Sequence, residues 1–185
     1  MTLPSRPGQI GAAEKSVLVI QGEYKISDDP NVVLATLLGS CVAACIRDPL
    51  AGVGGMNHFL LAEGSASDTR HNAERYGVHA MELLVNGLLT RGAQRNRLEA
   101  KLFGGAKTMD GLADVGATNA RFAQEFVRRE GIKLVGECLL GNRGRRIHFW
   151  PVSGRARRIF MSEPVPLRPV APPVVQPNSG ALELF

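Results

Sequence analysis

The chain has 185 residues, of which 44% are hydrophobic and 21% charged, with a formal net charge of +5. That is apolar material for one real core, and it excludes a disordered protein, a collagen, a coiled coil and a disulfide-rich toxin. Aromatics are only 5%, so aliphatic side chains must fill the core, and three cysteines, an odd number, argue against a disulfide framework.

Residues 1–14 are polar, bear Gly and Pro, and lack an apolar signal region, so they read as a flexible N-terminus. Residues 16–20, 32–36 and 41–46 are short β-branched or aliphatic runs that predict strands. Asp48-Pro49 marks a turn, and 53–61 predicts the next strand. Residues 75–91 predict a helix with Tyr76, Ala80, Leu83, Leu84, Gly87 and Leu88 on its apolar face and Gly92 at its end. A strand over 98–103 follows, then Gly104-Gly105. Thr118 is the expected cap of a second helix that carries Phe122 and Phe126, and Gly131 closes it. Residues 132–140 and 145–152 predict the last strands. The pattern reads as α+β: a layered α/β/β sandwich of mixed and antiparallel sheets with two main helices, one domain over 15–162. Residues 163–185 are Pro-rich and predict a disordered tail. The apolar stretch 78–89 is broken by Glu82, Asn86 and Gly87, so no membrane insertion is expected, and the expected location is cytoplasmic, with reduced thiols.

The densest chemical signal is Leu37-Leu-Gly-Ser-Cys-Val42. A Cys just after Gly39-Ser40 stands where the backbone leaves a tight turn, and the Ser40 and Cys41 amides could face a ligand as an oxyanion hole does. Composition alone favours an inert buried thiol. Hairpin arithmetic favours chemistry. If residues 48–51 form the loop and Arg47 pairs with Gly52, Cys41 falls directly opposite His58 on one face. A thiol and an imidazole together make a nucleophile and its base. A third polar group must orient the ring: Thr36, Ser40 and Asn57 are near in sequence, and Thr36 is the choice. His71 and His79 are rivals to His58, while His148 reads as an outward strand residue. Cys41, Cys45, Cys138 and His58 could instead supply four metal ligands, but a Cys-x-x-x-Cys spacing on a strand with no second knuckle argues against it, and Cys45 and Cys138 read as core. No cofactor is expected.

Leu38-Gly-Ser-Cys-Val-Ala43, Arg47-Asp-Pro49 and Gly54-Gly-Met-Asn-His-Phe-Leu60 together resemble the CheD family, the chemoreceptor glutamine deamidases of bacterial chemotaxis. Residues 75–84, 100–106 and 141–152 extend the likeness, which runs from about Val17 to Phe160. The resemblance implies hydrolysis of receptor Gln side-chain amides to Glu and ammonia, with Cys41 as nucleophile, His58 as base and Thr36 as third member. Gly39, Ser40 and Asn57 are the expected oxyanion and substrate contacts. It also implies a layered fold, a chemoreceptor cytoplasmic domain as protein substrate, and a CheC-type phosphatase as a possible partner. Here Gly116-Ala-Thr-Asn119 departs from the family's Gly-x-Arg-Asn segment.

A basic cluster, Arg143, Arg145, Arg146, Arg155, Arg157 and Arg158, lies around Phe149 and Trp150. It raises nucleic-acid binding as a rival reading, but a solvated strand pair explains it better. Part of the cluster is expected to hold an acidic receptor surface.

Overall fold

The computed structural model describes residues 13–61, 67–107 and 114–161, the stretch 67–73 by its backbone. The predicted Pro-rich tail and nearly all of the N-terminal stretch lie outside those residues. Among the described residues, nine strands and two helices run in the order β1 (Lys15–Leu18), β2 (Tyr24–Ser27), β3 (Val32–Leu38), β4 (Val42–Asp48), β5 (Val53–Asn57), α1 (Ser67–Thr90), β6 (Glu99–Gly104), α2 (Val115–Arg129), β7 (Lys133–Leu139), β8 (Arg145–Phe149) and β9 (Ala156–Phe160). A 3₁₀ turn, Arg95–Arg97, precedes β6.

The strands form two sheets, β1-β3-β8-β9 and β2-β5-β4-β6-β7, and both are mixed. The alternation of β4 decides how they stack. Ala43 and Cys45 face the first sheet, in a core with Val19, Leu34, Leu38, Met56, Phe103, Ile147 and Phe149. Val42, Ala44 and Ile46 face the helices, in a second core with Met81, Leu84, Leu88, Leu102 and Phe126. The β4 residues 42–46 are at most 1% exposed because both their faces are covered, which is why they read as one apolar run. The result is the expected helix–sheet–sheet sandwich. Among the described residues no helix is long and apolar enough to cross a membrane.

Local details depart from expectation. The first helix begins at Ser67, eight residues before the predicted start. Its buried stripe is Met81, Leu84, Val85 and Leu88, whereas Tyr76 and Leu83 are exposed. The second helix is capped by Asp114, whose carboxylate accepts the Ala117 N–H at 2.9 Å, and Thr118 lies inside its first turn. Gly131, with φ 65°, terminates it as expected. Strands β2 and β9 are edge strands that carry too few apolar residues to be seen in the sequence. Arg145 is also not a surface cation: it is 1% exposed and donates to the Cys138 and Leu140 carbonyls.

Candidate active site

The β4–β5 hairpin sets the relation between Cys41 and His58. Asp48 pairs with Val53 and Arg47 with Gly54, so the loop is Pro49–Gly52 and the register is displaced by two residues from the expected one. The Asp48 carboxylate causes this, because it accepts the Leu50 and Ala51 amides and so caps the turn from within the ladder. The pairing stays in step at Val42 with Phe59. Ala43, not Cys41, therefore stands opposite His58. A shift of two preserves the face, so Cys41 becomes the diagonal neighbour of His58, about 7–8 Å away at Cα and less at the side chains.

His58 is 6% exposed and its main chain is held on the side away from β4, where Gly22 N–H donates to its carbonyl at 2.7 Å and its own N–H donates to Glu23 at 3.0 Å. The ring is held by Thr36, whose Oγ1 lies 2.9 Å from Nδ1. Thr36 has one proton, and it goes to the Val19 carbonyl at 2.7 Å. Nδ1 must then be the donor, with Val19 O a second acceptor at 3.4 Å. This leaves the lone pair on Nε2, a buried atom without a hydrogen-bond partner among the described residues. Burial holds His58 below its ordinary pKa, only partly offset by Val19, so the ring is neutral at pH 7.

Cys41 is half-buried at the entrance to β4. Burial raises its thiol above the ordinary value, and its own backbone N–H, which bears on the sulfur, pulls the other way. The resting pair is thus thiol and imidazole rather than thiolate and imidazolium, because desolvation penalises both charged forms. The loop before Cys41 is fixed by its carbonyls. Ala106 N–H donates to Gly39 O at 2.8 Å, Asn119 Nδ2 to Ser40 O at 2.9 Å, and Gly105 N–H to Cys41 O at 2.8 Å. With three successive carbonyls anchored inward, the Ser40 and Cys41 amides find no acceptor among the described residues beyond the Cys41 sulfur. Two adjacent backbone donors of this kind are what an oxyanion can use.

Gly39 does not adopt a positive φ; the unusual backbone is across the loop, at Gly104 (φ 113°) and Gly105 (φ 68°). A Cβ on Gly104 would lie 2.1 Å from the Cys41 carbonyl. Only glycine lets β6 come that close to the loop.

The match to a family model, described as CheD chemotactic sensory transduction, spans residues 60–158. A Rhizobium leguminosarum bv. trifolii protein named "Probable chemoreceptor glutamine deamidase CheD" is 56% identical, over 95% of this chain and 98% of that one. The chain belongs to the CheD family. A protein of the same name from Rhizobium etli is 61% identical over 80% of both chains, and one from Caulobacter vibrioides 54% identical over 91% of this chain and 92% of that one. Among solved structures, a Neisseria meningitidis protein of the DUF152 family model aligns with a TM-score of 0.45 and 12% identity, over 70% of this chain and 63% of that one.

This CheD chain joins Thr36 to His58 in the intersheet layer and sets Cys41 against that layer's core, with Ser40 beside it in the loop before β4. It does not bring Asn57 there. Asn57 Oδ1 accepts the Ala44 N–H at 2.9 Å and Nδ2 donates to the Ala80 carbonyl at 3.1 Å, so this side chain ties β4 to α1 on the opposite face. His79 is exposed on α1, and His148 is half-buried on β8 between Ala35 and Arg157. Cys45 is wholly buried and its thiol is pushed far up by burial. Cys138 Sγ takes contacts from Arg145 and Arg158 at 3.1 and 3.0 Å.

Sequence reasoning missed Val19, Gln21 and Asn119. Asn119 is fully buried and bridges α2 to both sides of the site, accepting the Leu61 N–H at 2.8 Å and donating to Ser40 O. A buried Asn on an otherwise apolar helix face was the available signal.

Proposed function

We propose that this protein hydrolyses glutamine side-chain amides of chemoreceptors to glutamate and ammonia, with Cys41 as nucleophile and His58 as base. The single observation that carries the residue assignment is the orphaned Nε2 of His58. It is a buried lone pair on the face that Cys41 shares, with its tautomer set from the far side by Thr36 and Val19. Family membership supplies the substrate: relatives covering nearly the whole chain are named for chemoreceptor glutamine deamidation.

In this mechanism the substrate carboxamide enters at the half-buried thiol. His58 Nε2 takes the Cys41 proton as sulfur bonds to the amide carbon, and the charge on oxygen is held by the Ser40 and Cys41 amides. Collapse of the adduct passes the proton from His58 to the departing nitrogen and releases ammonia, leaving a thioester. Water then gives a proton to His58, adds to the thioester carbon, and the sulfur leaves as the restored thiol. The net change is Gln plus water to Glu plus ammonia. We also propose a cytoplasmic location, which a nucleophilic thiol favours because it must stay reduced.

The test is to incubate the protein with a receptor cytoplasmic fragment and measure released ammonia and the mass change of receptor peptides. Deamidation that is abolished in Cys41→Ala and reduced roughly 10²–10⁴-fold in His58→Ala is expected. Undiminished activity in either variant overturns the assignment.

A further inference from the structure

The thiol proton of Cys41 does not go to His58 in the free protein. It is donated to a carboxamide: Cys41 Sγ lies 3.5 Å from Gln21 Oε1. Gln21 sits at the tip of a turn from Ile20 to Glu23, closed by Glu23 N–H to Ile20 O at 3.1 Å, with Gly22 at φ 87°. The turn is not a loose loop. It is stapled to His58 through Gly22 and Glu23, and the residue before it, Val19, accepts the Thr36 hydroxyl. The same segment thus fixes the imidazole and presents a carboxamide to the sulfur. Gln21 itself is exposed and makes no other hydrogen bond among the described residues.

We propose that Gln21 is a displaceable occupant of the substrate amide position: its carboxamide holds the Cys41 proton until a substrate glutamine takes its place. This rests on the reading of Cys41 as nucleophile. Gln21 carries the same functional group, on the same two-carbon arm, as the proposed substrate. While it accepts from sulfur, the thiol proton points away from Nε2, which has no partner. An incoming carboxamide that settles its oxygen on the Ser40 and Cys41 amides displaces Gln21 and frees the proton to pass to His58. The contact therefore couples activation of the nucleophile to arrival of a side chain with the right group.

The experiment compares wild type, Gln21→Ala and Gln21→Glu in the full chain. The first readout is the second-order rate of Cys41 alkylation by N-ethylmaleimide, followed by mass spectrometry of the Cys41 peptide. The second is KM and kcat for a receptor fragment. Removing one weak hydrogen bond should speed alkylation of Gln21→Ala by roughly threefold to tenfold. It should lower KM by a similar factor and move kcat less. Gln21→Glu should slow alkylation, because a carboxylate beside the sulfur opposes thiolate formation. Equal alkylation rates in wild type and Gln21→Ala overturn the proposal. So does finding Glu at position 21 in the wild-type chain but Gln in Cys41→Ala, since the occupant would then be a substrate. Loss of the deamidase reading shows separately, as wild type that leaves the receptor fragment unchanged, because the alkylation comparison needs no receptor.

Discussion

Thr36 and His58 are joined by a 2.9 Å contact in which the hydroxyl is the acceptor, because its only proton is spent 2.7 Å away on the Val19 carbonyl. A residue on the first sheet thereby sets which nitrogen is basic on the residue that follows β5 of the second. Thr36→Val keeps the shape and removes the acceptor. Nδ1–H then retains only Val19 at 3.4 Å, and the ring loses both orientation and tautomer preference. The expected result is a fall in kcat of roughly tenfold to hundredfold, the range that one buried hydrogen bond spans, with KM little changed. Thr36→Ser should recover most of the rate, and that recovery separates ring orientation from mere packing. Steady-state deamidation by the three proteins is the measurement.

Asn119 is expected to act on the same reaction from the helix side. Asn119→Ala leaves the Leu61 amide and the Ser40 carbonyl without their partners. Two orphaned buried groups should cost about 2–4 kcal/mol of stability, read by urea unfolding. The Ser40 peptide is also free to rotate, so turnover measured well below the unfolding midpoint should fall as well. Stability lost with turnover intact would show that the Asn119 bond does not hold the amides in place.

How far the sequence disclosed this depends on what each residue answers to. β4 was legible because an apolar run flanked by turn signals is a local property. Thr36, Cys41 and His58 were legible as candidates because few residue types can carry that chemistry. The hairpin register was not, because it is set by the Asp48 carboxylate folding back on two amides, which turns a guessed loop of 48–51 into Pro49–Gly52. The error left the face unchanged because side chains repeat every two residues, so the pairing of Cys41 with His58 survived as a diagonal. Asn57 was misplaced for the same reason: it is next to His58 in sequence and therefore on the other face. Val19 and Gln21 could not be found, since a carbonyl has no sequence signature and the thiol's partner comes from 20 residues away.

The pH profile follows from the shifts at the site. Burial lowers His58 below its ordinary 6.5 and raises Cys41 above its ordinary 9.0. The base is neutral above its depressed pKa, so kcat/KM should rise on an acid limb lying below pH 6.5 and stay level through neutrality. The thiol remains protonated there, so alkylation of Cys41 in the absence of receptor should keep climbing toward and beyond pH 9. His58 also contributes to folding in one direction: its neutral form is favoured in the folded chain, so that contribution is complete above 6.5 and declines as pH falls through the folded value. A preformed ion pair would instead give fast, pH-independent alkylation at neutral pH, and that result would contradict the neutral resting state.

A larger acid sensitivity is expected at the hairpin that sets the register. Asp48 has no exposed side-chain surface and is bound by Arg97 at 2.7 and 2.9 Å and by the Gln94 amide at 2.8 Å, besides its own turn. Burial alone would raise its pKa, but these donors outweigh it and hold the carboxyl far below the carboxylate range. With the folded value depressed, the contribution is complete above the unfolded value of about 3.9 and is lost as pH falls toward the folded value. Asp48→Asn removes the charge at all pH values and leaves Arg97 facing an amide. It should cost roughly 3 kcal/mol at pH 7 and much less near pH 2, so the two unfolding curves should converge in acid. Because Asp48 also caps the Pro49–Gly52 turn, the variant should lose deamidase activity at temperatures where its far-UV spectrum is still native. Parallel curves from pH 7 down to pH 2 would remove Asp48 ionisation as the element that locks the hairpin.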